Sequence, residues 1–228
     1  MADDMDVLSL ELAVQGVVVG WVEARRCFVG PSPAPLLSKL ELAVVAAAGQ
    51  EARSSNRARK TAVRDLLRFG AYKPTGRAKP ASEYLLREAV EGRFPRINTL
   101  ADINNLVSLE TLLPISLLDV EAAGGCAFRV RRGREGEAYA FNASGQEISL
   151  RDLLLVARLP ADLPCASPVK DSQATKTHAG TRRALGIVYA PCAYAAEAKA
   201  AAARMAELMA RFAAAEVSWG LLGGEREH

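Results

Sequence analysis

The alternation of hydrophobic and polar residues changes its period along the chain, and each change marks a different predicted element. Residues 7–14 alternate, with leucine or valine at every second position from Leu8, which is typical of a half-buried strand. Gly16 interrupts this pattern, and residues 17–22 form a second apolar run. Two such runs around a glycine predict an opening β-hairpin.

Helical spacing of apolar residues dominates the next part of the chain. Four segments place apolar side chains at intervals of three and four positions, and each is followed by a glycine or a proline. We expect Ser82 to be the N-cap residue of the third segment. The predicted helices span residues 36–48, 57–69, 82–92 and 100–107.

Short strands are predicted after the glycine pair Gly124-Gly125. Residues 127–131, 138–141 and 185–190 favour strands, whereas the three prolines within residues 159–169 predict a loop. The alanine-rich residues 193–217 predict a long C-terminal helix. Because helices and strands are mixed irregularly, we expect an α+β fold in which a mixed β-sheet is flanked by helices.

Composition narrows the functional class only slightly. Half of the 228 residues are hydrophobic, enough for one large core, and the formal net charge is +3. No apolar run has the length of a membrane span and the N-terminus is acidic, so we expect a cytoplasmic protein with no membrane partner. The four cysteines form no CxxC pair and there are two histidines. We therefore expect buried free thiols, and neither a metal nor a cofactor.

Positive charge is concentrated in residues 53–79, where nine Lys or Arg residues accompany the single acid Asp65. Such a stretch can follow a phosphate backbone, although a solvated helix face is the simpler alternative. The first interpretation predicts a steep loss of RNA binding with added salt. The predicted tRNA-binding residues are Arg57, Lys60, Arg64, Arg68, Lys73, Arg77 and Lys79, with Lys170 and Lys176 in a later loop.

The adjacent amides Asn104 and Asn105 are unusual inside an apolar helical segment. Each side chain has two donors and an acceptor, so burial requires hydrogen-bond partners. Two interpretations remain open from the residues alone: the amides satisfy nearby backbone groups, or they line a pocket and hold a polar ligand.

Residues 95–107 and 113–119 carry a resemblance to a known family. The first segment begins Pro-Arg-Ile-Asn and ends Asp-Ile-Asn-Asn-Leu-Val, and the second reads Leu-Pro-Ile-Ser-Leu-Leu-Asp. Together they resemble the B3 signature of the B3/B4 domain, the editing part of the phenylalanyl-tRNA synthetase β subunit. Further likeness to free-standing members covers residues 79–86, 136–137 and 171–177. The likeness extends over roughly residues 60–190.

The resemblance implies a single domain over residues 1–228. Its parts would be N-terminal strands and a helix in 1–55, a B3/B4 core in 56–190, and a C-terminal helix and tail in 191–228. The family's central pocket hydrolyses tyrosine wrongly attached to the phenylalanine tRNA. Such hydrolysis needs a fitted pocket, polar groups around the ester and a positioned water.

Carrying the family's pocket onto this sequence gives matches and departures. Asn104 and Asn105 correspond to a Thr-Asn pair, and Asp119 ends the second motif. Ser116 stands where the family has a histidine, and Tyr189 lies in the strand where the family has a glutamate. Because serine is a poor general base near neutral pH, the tyrosine specificity is not carried over.

The predicted function is hydrolysis of a mischarged aminoacyl-tRNA in trans, with no DNA partner. The rival is a non-catalytic module that binds tRNA, another RNA or an amino acid, and a third possibility is a hydrolase or sensor for a small metabolite. No ATP-binding motif is present, so a complete synthetase is not expected. The predicted catalytic residues are Asn104, Asn105, Ser116 and Glu137, and the predicted substrate-binding residues are Asp119, Asp171, Thr175 and Tyr189.

Two of these assignments have simpler alternatives. Glu137 follows a tight turn, where a glutamate is usually an exposed strand residue. The segment 168–178 concentrates hydroxyl and charged groups, so it is either a loop that closes over a ligand or the CCA end, or a solvated loop.

Overall fold

The computed structural model describes residues 7–50 and 54–224. The helices are α1 (Ala34–Gln50), α2 (Ser54–Leu67), α3 (Ala81–Val90), α4 (Thr99–Thr111), α5 (Val120–Ala123) and α6 (Ala195–Phe212). The strands are β1 (Ser9–Leu12), β2 (Val17–Arg25), β3 (Ile115–Asp119), β4 (Ala127–Arg132), β5 (Ala138–Ala140), β6 (Glu147–Ser149), β7 (Leu154–Arg158), β8 (Leu163–Ala166), β9 (Arg183–Pro191) and β10 (Glu216–Leu222).

Two four-stranded sheets form the centre of the molecule. In the first, antiparallel strands follow the order β10-β2-β9-β3. In the second, the order is β1-β4-β7-β8, and β1 is parallel to β4 while the other pairs are antiparallel. A separate hairpin joins β5 to β6. The predicted α+β fold with a mixed sheet and a long helix near the C-terminus is confirmed.

The period-two alternation of the first sheet divides the interior into two cores. In β2, Val18 and Val22 join the core shared with helices α1, α4 and α6, whereas Val17 and Val19 join the core shared with the second sheet. Strand β9 alternates in the same way. Because both faces of these strands are covered, their sequences read as nearly continuous apolar runs.

The long helix α6 lies unusually close to the first sheet. A Cβ atom at Gly20 of β2 would lie 2.7 Å from the Ala198 carbonyl oxygen, and one at Gly186 of β9 would lie 2.7 Å from the Met205 methyl group. The helix face in contact is rich in alanine, including the buried Ala201 and Ala202. Glycines on the strands and alanines on the helix therefore permit the close approach.

Four expectations about individual elements were wrong. The opening hairpin does not form, because β1 pairs with β4 and β2 pairs with β9 and β10. Residues 163–166 form an edge strand, where Pro164 loses little by lacking an amide hydrogen. The C-terminal helix ends at Phe212 and is followed by strand β10. The N-cap of α3 is Pro80, not Ser82.

Among the helices in the described part of the chain, none is long and apolar enough to cross a membrane. The predicted division into residues 1–55, 56–190 and 191–228 stays a prediction.

Candidate nucleic-acid interface

A concave groove of about 860 Å³ opens beside the second sheet. One wall is the segment that follows α2, with Tyr72, Lys73 and Arg77. The β5–β6 hairpin supplies the opposite wall, and Lys170 closes one side. The volume lies within the roughly 300–1,000 Å³ range of sites for small ligands.

The first wall is fixed by a glycine turn directly after α2. Gly70 has a left-handed φ of 50° and lies against the Asp152 carboxylate, where a Cβ atom would collide. The same carboxylate accepts a hydrogen bond of 2.7 Å from the Ala71 amide. Tyr72 is buried and donates its hydroxyl to the Ala78 carbonyl oxygen at 2.7 Å. The turn therefore presents Lys73 and Arg77 from a rigid base.

Lys170 is held in place by its backbone. The Tyr139 hydroxyl donates to the Lys170 carbonyl oxygen at 2.6 Å, and the Ser167 hydroxyl donates to the same oxygen at 2.8 Å. The neighbouring Asp171 carboxylate accepts from the Leu117 amide at 3.0 Å and from the Ser167 amide at 3.2 Å. Loop 167–171 is thereby tied to strand β3.

Burial raises the pKa of Asp171 to about 6, although hydrogen bonds from Ser116 and from the two amides oppose the shift. Its carboxylate is therefore largely charged at neutral pH, where it accepts from the Leu117 and Ser167 amides. The carboxyl that anchors loop 167–171 is therefore partly protonated when the pH falls below about 6.

The positive groups around the groove crowd one another. The Lys170 ammonium lies 3.5 Å from the centre of the Phe141 ring, and the Lys176 ammonium donates to the Phe141 carbonyl oxygen at 2.6 Å. Burial lowers the pKa of Lys170, and the charges of Arg77 and Lys176 lower it further. Such mutual repulsion is relieved when an anion binds.

Within residues 7–50 and 54–224, no ion pair neutralises Lys73, Arg77, Lys170 or Lys176. Arg151, which also lines the groove, is paired with Glu135 at 2.9 Å. The groove therefore combines a concave shape with cations at its walls and rim that no ion pair neutralises, and Glu147 is the acidic residue among its lining side chains. A surplus of positive charge of this kind is the pattern of an anion-binding surface.

The basic face of helix α2 is different. The guanidinium of Arg64 makes two hydrogen bonds to the Glu83 carboxylate, and this pairing raises the pKa of Arg64. Arg68 is paired with Asp65 one turn earlier. Lys60 is half-buried, and Arg57 is exposed and engaged in an interaction of its own. Two of the four predicted cations of α2 are thus neutralised by carboxylates of the protein.

The predicted tRNA-binding residues therefore separate into two groups. Lys73, Arg77 and Lys170 line the groove, and Lys176 lies at its rim. Lys79 is exposed two residues beyond Arg77 and does not line the groove. The residues of α2 form a separate surface.

Three predicted pocket residues, Ser116, Asp171 and Tyr189, come together on the face of strand β3 that packs against the second sheet. Ser116 is fully buried, accepts a hydrogen bond of 2.9 Å from the Tyr189 hydroxyl, and is also within 3.1 Å of the Ser167 carbonyl oxygen. Asp171 joins the same network through Leu117 and Ser167. Tyr189 is also fully buried, which raises its pKa well above the usual range. Sequence positions far apart thus converge on one internal hydroxyl network.

The paired asparagines lie elsewhere. Asn104 and Asn105 belong to α4, which packs on the helix side of the first sheet, whereas Ser116 follows the alternation of β3 onto the opposite face. The Asn104 amide nitrogen is 3.4 Å from the Asn105 amide oxygen. The amide oxygen of Asn104 is buried, and no hydrogen bond within the described residues satisfies it. That oxygen is the one unsatisfied acceptor of the pair.

A family comparison places these features in context. The model of the B3/4 domain matches residues 71–204, more than half of the chain. The chain belongs to the B3/4 domain family. The matched segment begins at Ala71, the first residue of the groove wall, and contains every residue that lines the groove. The predicted family is thereby confirmed, and no curated protein matches the chain.

The B3/4 domain is a module of the phenylalanyl-tRNA synthetase β subunit, an enzyme that acts on tRNA. This family relation links the chain to a module of a tRNA-binding enzyme. Which reaction, if any, the chain catalyses depends on its individual residues.

Glu137 takes part in a buried ion-pair network of this B3/4 domain. Its carboxylate oxygens accept from the two terminal nitrogens of Arg131 at 2.7 and 2.8 Å, and Arg131 also donates to Asp162 at 2.8 Å. These hydrogen bonds lower the pKa of Glu137. A carboxylate held in this way is a weak base, and the position has an evident structural use.

Asp119 and Thr175 also have partners inside the domain. One Asp119 oxygen caps α5 by accepting from the Ala122 amide at 2.9 Å, and the other accepts from the Thr181 hydroxyl at 2.6 Å. Thr175 is buried and donates to the Cys165 carbonyl oxygen at 2.8 Å. Their predicted contact with substrate stays a prediction.

The groove contains residues that the sequence did not single out. Phe141, Gln146, Ser149 and Arg151 reach it because the β5–β6 hairpin folds beside Lys170. The turn Asn142 to Gly145 predicts a hairpin, yet nothing in the pattern predicts which segment lies opposite. Within the described residues, no cluster of three or more His, Cys, Asp or Glu side chains is arranged to hold a metal ion.

Proposed function

We propose that the protein binds the acceptor end of aminoacyl-tRNA in the cationic groove and hydrolyses the ester bond of mischarged aminoacyl-tRNA in trans. The single observation that carries this proposal is the groove itself, in which Lys73, Arg77, Lys170 and Lys176 have no neutralising carboxylate within the described chain. Phosphate contacts of this kind supply affinity and position without reading sequence.

The hydrolytic part of the proposal rests on family membership. The reaction breaks the ester between the amino acid carbonyl and a ribose hydroxyl, and water supplies the new oxygen of the carboxylic acid. The proton lost by water passes to the ribose oxygen, which leaves as a hydroxyl. Among the predicted catalytic side chains, Asn104 retains a buried unsatisfied acceptor, but it lies on α4 and does not line the groove.

A second candidate function is a tRNA-binding module without catalysis. Two observations favour it: Ser116 is fully buried and bonded to Tyr189, and Glu137 is bonded to Arg131. Neither side chain is presented to a substrate in this arrangement. The two candidates share the groove and differ only in whether the ester is cleaved.

The deciding experiment is a deacylation panel. Correctly and wrongly charged tRNAs are incubated with the protein, with a groove variant that carries Arg77→Ala and Lys170→Ala, and with buffer alone. We expect at least one mischarged tRNA to lose its ester well above the buffer rate. The groove variant should raise KM more than it lowers kcat, because the lost groups bind the polynucleotide and not the reacting atoms.

Two results would decide against hydrolysis. If no charged tRNA is cleaved faster than in buffer, the editing proposal fails, and salt-sensitive tRNA binding in the same sample would establish the module. If tRNA binding is also absent, both candidates fail. An Asn105→Ala variant adds a further readout, since loss of cleavage with an unchanged Tm supports a pocket role, whereas a large Tm drop supports a structural role.

A further inference from the structure

Two of the cations around the groove meet at Phe141, and a third lies near them. Lys170 is fixed over the Phe141 ring, and Lys176 is fixed on the Phe141 carbonyl. Burial lowers the pKa of Lys170, and the charges of Arg77 and Lys176 lower it further. Fixed cations lose less conformational freedom on binding an anion than mobile surface lysines do. The arrangement is therefore a defined site and not a diffuse patch.

The opposite wall carries the cation Arg151, which is paired with Glu135, and several neutral or acidic polar groups. Strand β6 and the residue before it contribute Gln146, Glu147 and Ser149. These groups offer hydrogen-bond donors and acceptors for hydroxyl and amino groups. Glu147 repels an anion and so directs it toward Lys170. A ligand that fits both walls has an anionic part and a neutral part rich in hydroxyl groups.

We propose that Arg77, Lys170 and Lys176 form a phosphate site that takes the phosphodiester of an unpaired terminal nucleotide, with its nucleoside against Gln146, Glu147 and Ser149. The inference rests on the proposed function, because this nucleotide belongs to the 3′ end of the bound RNA. The groove volume of about 860 Å³ suits one or a few nucleotides.

The test uses the dinucleotide cytidylyl-adenosine, which has one phosphodiester, and compares it with adenosine. Isothermal titration with the whole protein should show that the dinucleotide binds at least about tenfold more tightly, as charge-assisted contacts require. Inorganic phosphate should displace it. The Lys170→Ala, Lys176→Ala variant should weaken dinucleotide binding about tenfold or more and leave adenosine binding unchanged.

Three further variants define the site. Lys199→Ala, an exposed lysine of α6 that does not line the groove, should change dinucleotide affinity less than about twofold. Lys170→Arg keeps the charge and should retain most of the affinity. Glu147→Gln removes the repelling carboxylate and should tighten binding about two- to threefold.

The inference is overturned if the dinucleotide and adenosine bind equally, or if the double variant with unchanged Tm binds the dinucleotide like the wild type. Its failure is separable from that of the proposed function. Ester cleavage of charged tRNA with no dinucleotide discrimination would remove the phosphate site and keep the function. Dinucleotide discrimination without any cleavage would keep the site and leave the binding module.

Discussion

Helix α2 and the groove after it take their cations from one continuous basic stretch, yet the protein treats the two differently. On α2, Arg64 is paired with Glu83 and Arg68 with Asp65. In the groove, Lys73 and Arg77 are joined by Lys170 from a segment about one hundred residues away, and no carboxylate of the described chain pairs with them. The groove is thus the stronger candidate for RNA.

The difference shows that charge density in a sequence and charge available to a ligand are separate quantities. Asp65 is visible within the basic stretch, but Glu83 belongs to the next long helix, and its contact with Arg64 depends on how α3 packs. An exposed ion pair contributes little stability, about 0–1 kcal/mol. It nevertheless removes much of the field that an approaching phosphate would experience.

Removing the groove cations should produce the largest effect. The variant Lys73→Ala, Arg77→Ala, Lys170→Ala, Lys176→Ala should weaken binding of an aminoacyl-tRNA about 100-fold or more at low salt. The plot of log affinity against log salt should become shallower by roughly 3, because each lost single-strand phosphate contact contributes about 0.7. Fluorescence anisotropy over a salt series measures both quantities.

The same measurement provides its own control. Because these side chains are largely exposed or at the groove surface, the variant should melt within a few degrees of the wild type. An unchanged affinity and an unchanged salt slope in a folded variant would show that RNA does not use the groove. Helix α2 would then be the stronger candidate for RNA binding.

The second effect concerns Asp171, which anchors the loop that presents Lys170. In Asp171→Asn the amide oxygen can accept from only one of the two backbone amides that the carboxylate now satisfies. We expect a lower Tm and a roughly tenfold loss of RNA affinity, because Lys170 is no longer fixed. The groove depends on this anchor, whereas α2 does not.

The pH dependence of stability isolates the same group. The pKa of Asp171 is raised in the folded protein from its usual value of 3.8 to about 6, so the folded state binds more protons than the unfolded state between these values. Stability contributed by Asp171 therefore falls as pH rises from about 4 to about 6 and is constant above that. Denaturant unfolding at several pH values should show this slope in the wild type relative to Asp171→Asn.

Other carboxylates act in the opposite direction and cancel in that difference. The pKa values of Glu137 and Asp162 are lowered by hydrogen bonds to Arg131, so the stability that these groups contribute to the folded protein decreases as pH falls. Both are present in the wild type and in the variant. A difference curve that is flat from pH 4 to 7 would contradict the raised pKa of Asp171 that its burial causes.

Local patterns predicted much of the fold, and they failed where pairing depends on distant segments. The spacing of apolar residues located α1, α2 and α4, because each buries one stripe of side chains. The partner of β1 was not predictable, because nothing in residues 7–14 specifies pairing with β4 rather than with the neighbouring β2. Strand β10 was hidden because the alanine-rich pattern of α6 continues to Ala215.

The candidate site was predictable in part for a similar reason. Lys73, Arg77 and Lys170 were selected from local charge, and the structure brings them together. Phe141 and Arg151 were missed, since their place in the groove follows from the orientation of a hairpin. The buried bond between Ser116 and Tyr189 depends on the pairing of β3 with β9, which a family motif does not specify.

A smaller change should make helix α2 more like the groove. Glu83→Gln removes the acid that neutralises Arg64, a side chain that is 35% exposed. If charge masking is what distinguishes the two regions, RNA affinity should rise about two- to threefold and the salt slope should steepen by roughly 0.7. Stability should fall by about 1 kcal/mol as the ion pair is lost. If RNA affinity stays constant while stability falls, RNA does not contact helix α2.

The smallest effect is expected from the helix cations as they stand. In Lys60→Ala, Arg68→Ala, one half-buried lysine and one already paired arginine are removed. This variant removes two positive charges, half as many as the fourfold groove variant. RNA affinity should nevertheless fall less than about threefold, because only the long-range electrostatic field changes. The matched pair Lys73→Ala, Arg77→Ala should cost several times more in the same titration. Equal losses from the two pairs would mean that RNA responds to net charge alone, and the concave shape of the groove would then contribute nothing to recognition.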